Sequence, residues 1–515
     1  MSGDLRTSSQ PSSPEALQRA FAEALGGGGT LDGLEQSFVT QAWEDYAEDE
    51  TPELAGEDVG AVLADAWRWA ERRTPGESRV LVQPLSAAGG RATPYDVLRI
   101  VQDDRPFLVD SVMGELADTG VSVRALFHPV LNLAREADGA RKAAADARES
   151  LIVLVIDPLP PERREALKAG VEQTLADVHT AVADYPAMNE LMARSISHLE
   201  ACPGGIDPAI VAENLEFLRS LNDDAFVFLG ARDYDYPRTT DGGYAAEAPL
   251  DQSGAGVGVL RDPGRTVLRR TSEPAVLTAQ MKRQIDLSDP VTVAKANLRS
   301  RVHRRAYMDY VGVKRYGDDG RPSGETRFVG LFTAEAYDRP PSQVPLIRRK
   351  VANVLTRAAK APGSHNEKRL KNILENYPRD ELFQISEDEL LTTALGILHL
   401  FDRPRIKIFT RNDPFDRFVS VLAFVPRERF DAGVRERIGR ILARAWGGRL
   451  SAWYPQLSDA PLVRIHYIIG VTPGDHPTPD AAALDAEIIE TGRSWVDRFE
   501  GALRAPRSTT ARSAP

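Results

Sequence analysis

The stretch from Pro94 to Leu131, PYDVLRIVQDDRPFLVDSVMGELADTGVSVRALFHPVL, constrains the fold more than any other. Tyr95 to Val101 are rich in apolar and β-branched residues, a strand signature. Asp103-Asp104-Arg105-Pro106 breaks that run. From Phe107 the period changes. Leu108, Val112 and Leu116 recur every four residues beside Val109 and Met113, which makes one helical face. Gly120 closes the helix, because glycine reaches a left-handed C-cap at little cost. Val121, Val123, Ala125 and Phe127 then restore the two-residue period of a half-buried strand. This strand, turn, helix and strand form the kind of unit from which small ligand-sensing domains are built.

The chain has 515 residues, enough for several such domains. A net charge of −11 weighs against a general nucleic-acid binder. Cys202 is the single cysteine, which excludes a disulfide framework and any multi-thiolate metal site. There is no N-terminal apolar leader pattern and no apolar run of membrane-spanning length, so the sequence reads as cytoplasmic.

In order, residues 1–14 read as disordered and 15–77 as a helical segment, with Trp67 and Trp69 as packing residues. Gly26 to Gly29 reads as a linker: no strand precedes it and no Lys-Ser/Thr follows, so it is not a phosphate loop. Residues 78–185 form a first αβ domain. In it Glu136–Glu149 reads as a polar loop, Leu151–Asp157 as a buried strand, and Leu167, Val171, Leu175, Val178 and Val182 as a helix face. That order is close to the ferredoxin-like βαββαβ pattern. Residues 186–221 are a helical connector broken at Pro203-Gly204-Gly205. Residues 222–335 are β-rich, with turns at Asp241-Gly242-Gly243, Asp262-Pro263-Gly264 and Asp318-Asp319-Gly320. Residues 336–402 are helical, and Ser386 with Glu389 forms a capping box. Residues 403–475 repeat the αβ pattern. A last helix fills 476–503, and 504–515 is a disordered tail. The expected class is α+β multidomain.

No catalytic constellation and no metal site is legible. Gly254-Ala255-Gly256-Val257-Gly258 lies between strands with the wrong spacing for a dinucleotide fingerprint. The eight histidines are scattered; His399, on an apolar helix, reads as a core residue. The candidate ligand site is Asp103, Asp104, Arg105, Pro106 and Phe107. Unpaired N–H groups at a helix start favour a carboxylate, Arg105 offers a bidentate contact, and Asp103 or Asp104 suits an ammonium. The competing reading is that Asp104 caps the helix and Arg105 is solvated. A second candidate is a basic patch of Lys295, Arg299, Arg301, Arg304, Arg305 and Lys314, interleaved with Tyr307 and Tyr310. It suits an anion or an acidic surface, either a partner's or an inter-domain one. RNA stacking is disfavoured by the net acidity. Asp380-Glu381 reads as a helix-start acidic cluster rather than an acid/base pair.

Several blocks resemble a known family. DDRPFLVDSVMGEL, NDDAFVFLGARDYDY, VTVAKANLRSRVHRRAYMDYVGVKRY, SHNEKRLKNILENYPRDELFQIS and RNDPFDRFVSVLAFVPRERF are similar to the N-terminal region of the very large bacterial NAD-specific glutamate dehydrogenases. The likeness spans most of residues 35–503. It implies one ACT-like regulatory domain on the opening stretch and another on about 403–475. It also implies that a third ACT-like domain and the dehydrogenase core lie downstream. The sequence ends at Pro515, before those parts, so no catalytic or NAD-binding residue carries over. NAD is implied only for the full-length enzyme, which deaminates glutamate to 2-oxoglutarate. The expected role is regulatory and oligomerising: an amino-acid effector, a homo-oligomer, and a possible separate dehydrogenase part as partner. A purely structural scaffold and a free-standing amino-acid sensor are the alternatives. A nucleic acid or membrane partner is not expected.

Overall fold

In the computed structural model the described residues are 13–491, apart from 27–29, 46–55, 87–89, 91, 202–205, 237, 241–242, 245–255, 269–284, 286–288, 458–459 and 473. Cys202, the Pro203-Gly204-Gly205 break and the tail lie outside them, as do most of the N-terminal segment, of Gly26–Gly29 and of the Asp241 turn. The chain is α+β and multidomain, with three separate antiparallel sheets among the described residues.

The N-terminal helices are α1 (Pro14–Ala24), α2 (Gly33–Glu44) and α3 (Gly56–Trp69). The first αβ unit follows, with strands β1 (Arg79–Ser86) and β2 (Ala92–Asp103), then helix α4 (Leu108–Asp118). Strands β3 (Val123–Phe127), β4 (Val130–Arg135) and β5 (Arg141–Ile156) and helix α5 (Pro161–Ala183) complete it. The sheet order is β1-β2-β5-β3, with β4 continuing the line of β3 along β5. This is the ferredoxin-like sheet with its chain permuted. The strand beside β2 comes from before it in sequence, not from after α5. The expected polar loop at Glu136–Glu149 is instead a tight turn followed by the first half of β5, paired with β4. Its polar composition hid a strand because that half of the hairpin leans into solvent.

The unbroken apolar run Leu151–Ile156 is explained by burial on both faces. Leu98, Ile100, Ile152 and Leu154 pack under α4 and α5. Val97, Val101, Val153 and Val155 face α1, α2 and α3, where Phe21, Phe38 and Trp67 close the core. Each such side chain contributes roughly 1.5–3 kcal/mol on burial.

Helices α6 (Tyr185–Glu200) and α7 (Pro208–Ser220) lead to the central sheet. Its strands are β6 (Phe226–Asp235), β7 (Val257–Gly258), β8 (Val291–Arg299), β9 (Tyr307–Tyr316) and β10 (Pro322–Phe332), in the order β7-β6-β10-β9-β8. One face packs on α6 and α7. The other shares a continuous core with the first αβ unit.

The helical segment holds α8 (Ala334–Asp338), α9 (Ile347–Ala358), α10 (His365–Glu375), α11 (Arg379–Gln384) and α12 (Glu387–Asp402). The Ser386–Glu389 capping box starts α12, and Leu390, Ala394, Ile397 and Leu398 are its buried face. His399 falls on the exposed side of that helix rather than in the core.

The second αβ unit has strands β11 (Lys407–Asn412) and β12 (Phe418–Pro426), helix α13 (Ala432–Ala445), strands β13 (Arg449–Gln456) and β14 (Leu462–Gly470), and helix α14 (Ala481–Thr491). Its sheet order, β11-β12-β14-β13, repeats the permuted topology of the first unit. Sequence alone sets the last helix apart from 403–475. In the fold, Leu484 and Ile488 of α14 pack with Ile438 and Leu442 on the sheet, so α14 is the second helix of this unit. The opposite face carries Leu422, Phe424 and Leu462, which meet α9, α10 and α12.

Candidate functional site

The loop Asp103–Phe107 is engaged from within the chain. Asp103 accepts from Arg73 at 2.5 Å and lies 3.7 Å from Arg105. Arg73 also donates to the buried Glu149 at 2.8 Å, and Arg135 grips the same carboxylate. Asp104 pairs with Arg148 at 3.3 Å. It does not cap the helix. The N-cap of α4 is Phe107, held in the left-handed region at φ 70° with no side-chain cap, and Arg105 is largely covered rather than solvated. The start of α4 meets the loop after β8. The His303 amide donates to Ser111 Oγ at 2.9 Å, its ring lies 3.1 Å from Asp110, and it sits 5.2 Å from the Phe107 ring. Pro106 remains a turn residue between these contacts.

The basic patch is drawn apart into partnerships. Arg299 meets Asp118 at 3.3 Å, Arg301 meets Asp177 at 4.0 Å and Arg305 meets Glu115 at 2.5 Å, all on α4 or α5. The Arg305 stem runs over Gly114, where an added Cβ would lie 2.9 Å from it. Arg304 donates to the Phe332 carbonyl and Lys314 to that of Ile285. Most of this patch therefore fastens the central sheet to itself and to the first αβ unit.

Lys295 points elsewhere. It bonds Asp309 at 2.6 Å and Asp380 at 3.0 Å, at the mouth of a cleft of about 120 Å³. Three units build this cleft. The central sheet supplies Lys295 and Tyr307, α11 supplies Asp380 and Glu381, and the second sheet supplies Arg449, Ser451, Tyr454 and His466. Register explains the last group. Ser420 pairs with Ile468, and Leu422 and Tyr454 both pair with His466, so these side chains share one face. Gly470 keeps the floor open: a Cβ there would lie 2.6 Å from Ser451 Oγ and 3.4 Å from Arg449 Nε.

The charges around the cleft are unequally satisfied. Asp380 and Glu381 do start a helix, but each answers a cation from another unit. Burial alone would raise the Glu381 carboxyl, yet Arg411 at 2.7 and 2.8 Å outweighs it and holds the group at about 2. Burial would lower the Lys295 ammonium, but Asp380 and Asp309 push it well above its usual value. Burial, opposed by Lys295 and reinforced by Asp380, lifts Asp309 to about 6. His466 is pushed down by burial and stays a neutral ring, 2.8 Å from Ser420 Oγ. Arg417 is locked to Asp413 at 2.6 Å and donates to the Lys295 carbonyl. Arg449 is different: it is exposed, lines the cleft, and has no ion-pair partner among the described residues. The cleft thus offers an unpaired guanidinium on Arg449, two tyrosines, and a carboxylate on Asp380 that already takes Lys295 at 3.0 Å and the Tyr337 hydroxyl at 2.8 Å, a set able to orient a small zwitterion or carboxylate.

Sequence reasoning missed Arg449, Tyr454, Gly470 and His466. The one available signal was polar residues placed at alternate positions in otherwise apolar strands. Among the described residues no group of three or more His, Cys, Asp or Glu is placed to hold a metal ion. No helix among them is long and apolar enough to cross a membrane. Every strand pairing described is antiparallel. A Rossmann-type dinucleotide site needs parallel strands and a glycine turn into a helix. The described residues form no site of that type.

Comparison with known proteins places these units. Residues 38–171 match the ACT1 domain of glutamate dehydrogenase, 344–403 its helical motif 1, and 407–496 its ACT2 domain. A NAD-specific glutamate dehydrogenase of Halomonas elongata is 35% identical over 450 residues, covering 85% of this chain and 27% of that protein. The Pseudomonas aeruginosa protein of the same name is 32% identical over 498 residues, covering 94% of this chain and 30% of its own length. The Mycobacterium tuberculosis one is 28% identical over 470 residues, covering 87% and 27%. The chain spans less than a third of the length of these relatives. It belongs to the NAD-specific glutamate dehydrogenase family and carries the ACT1, helical motif 1 and ACT2 units of that family's N-terminal region.

Proposed function

We propose that this chain is the regulatory and assembly region of a NAD-dependent glutamate dehydrogenase, acting in the cytoplasm. The reaction of the whole enzyme is glutamate, NAD and water to 2-oxoglutarate, ammonia and NADH. This region carries no part of that chemistry; it senses an amino acid. The observation that carries the reading is the cleft where central sheet, α11 and second sheet converge around Arg449 and Asp380. A ligand there touches three units at once, so its binding energy can bias how they sit together. The effector's carboxylate takes Arg449 and its ammonium takes Asp380. This moves the effector from Asp103–Phe107, where Arg105 already faces Asp103, to the place where the Arg449 guanidinium has no ion-pair partner among the described residues.

Assembly has separate support. β13 is an edge strand of its sheet, and Leu450, Trp453, Tyr454 and Leu457 on or beside it are among the exposed large hydrophobic residues. Such an edge invites pairing with a second copy. This also supports the second reading, a scaffold of ACT units that bind no ligand.

Thermal shift of the chain against the twenty amino acids tests the sensor role. At least one raises the melting temperature, and Arg449→Ala removes that rise. A folded sample indifferent to all twenty favours the scaffold. Incubation with glutamate and NAD yields no NADH; steady turnover by pure chain contradicts the regulatory assignment.

A further inference from the structure

The second ACT sheet carries another cavity, about 280 Å³, on the same face as the cleft but farther toward the start of β14. Ile373, Ile397 and Phe401 of the helical motif form its roof, and Phe424 and Leu462 of the sheet its floor. Phe424 and Gln456 both pair with Arg464, so the three lie in one row and share a face. Among the described residues, Arg464 is the single charged residue lining the cavity. It donates to the Asn376 carbonyl at the end of α10 and has no carboxylate partner among the described residues. Burial pushes it down to about 10, opposed only by the Tyr377 hydroxyl. The other polar lining groups, Asn372, Asn376, Tyr377 and Gln456, are neutral.

A half-buried cation between apolar walls, with no counterion among the described residues, is costly to hold. An anion in the cavity would repay that cost. An ammonium would find no carboxylate among the described lining residues, unlike in the cleft beside Asp380. The volume lies below the ~300–1,000 Å³ of drug-sized sites, which limits the ligand to a short chain. We infer that this cavity binds a small monocarboxylate with an apolar tail and no ammonium group, its carboxylate on Arg464 and its tail among Ile373, Ile397, Phe401 and Phe424. It is a second ligand site, independent of the cleft and of the amino-acid reading given to it. A saturated acid and a 2-oxo acid share this chemistry.

Calorimetry on the full chain tests the inference with 4-methylpentanoate, 4-methyl-2-oxopentanoate, 4-methylpentanamide and leucine. At least one of the two acids binds, while the amide and leucine bind at least about tenfold more weakly. Whichever acid binds better identifies the source. Arg464→Met abolishes acid binding with the far-ultraviolet circular dichroism unchanged. Phe401→Trp, which fills the tail space, abolishes it too. Arg449→Ala leaves it intact, which separates this site from the cleft. Equal binding of acid and amide, retention of acid binding by Arg464→Met, or no binding of either acid at millimolar concentration overturns the inference.

Discussion

The two ACT units share one permuted topology and use it differently. In the first, both sheet faces are covered by helices. Its outer strand is fastened to the N-terminal helices: Gln41 accepts from the Val130 amide at 2.8 Å and Asp45 from the His128 amide at 2.6 Å. The start of its helix α4 is filled by the loop that holds His303 and Arg305. In the second, helices cover one face except at β13, where Leu450 and Trp453 stay partly in solvent, and the other face retains a cleft and a cavity. Topology alone therefore does not locate a ligand site. What decides is which faces and edges neighbouring elements leave open, and here the second unit is the one left open.

Buried carboxylates give the largest expected effects and test the difference at its root. Glu149 lies between Arg73 and Arg135 in the first unit, and Glu381 against Arg411 beside the second. Removing either charge strands buried guanidinium groups and costs about 3–5 kcal/mol in denaturant unfolding. Glu149→Gln lowers stability and leaves the amino-acid response in place, whereas Glu381→Gln weakens both. The second also has a pH signature. The folded Glu381 value of about 2 lies below the usual 4.5. Its stabilisation is complete above pH 4.5 and is lost as pH falls through about 2. Glu381→Gln lacks that acid-side loss, and a variant with the wild-type acid profile would remove Glu381 from its pairing with Arg411.

Filling the floor of the cleft comes next. Gly470→Val meets Ser451 Oγ and costs about 1–3 kcal/mol as an overpacked site. It abolishes the amino-acid shift without affecting binding of whichever monocarboxylate the Arg464 cavity takes. Loss of both responses would mean that the two sites are one coupled unit. A smaller effect is expected at the edge. Trp453→Lys with Leu457→Lys reduces self-association in light scattering by at least about tenfold, and monomer stability stays within about 0.5 kcal/mol. Unchanged association moves the interface away from β13.

These contrasts also mark what the sequence made legible. The strand at Leu151–Ile156 could be read because burial on both faces leaves a continuous apolar run. The start of α12 could be read because its cap is local, Ser386 to Glu389. The candidate loop at Asp103 could be placed but not its occupants. Arg73 lies 30 residues away and His303 lies 193 residues from the Asp110 it meets. Arg449, Gly470 and Arg464 were invisible as site residues for the same reason. Their shared face depends on how β12, β13 and β14 register, which is non-local information. The permuted topology was missed because the strand occupying the fourth place comes first in the chain, where it reads as an ordinary leading strand.

The smallest expected effect is also the most direct comparison between the units. Arg105→Ala changes stability by less than about 1 kcal/mol, and Arg449, exposed and unpaired, is equally dispensable for folding. The decisive measurement is the melting-temperature rise given by the most effective amino acid, taken side by side on Arg105→Ala and Arg449→Ala. The expected result is a full rise for Arg105→Ala and none for Arg449→Ala. The reverse pattern would return the effector to the first ACT unit and contradict the assignment to the second.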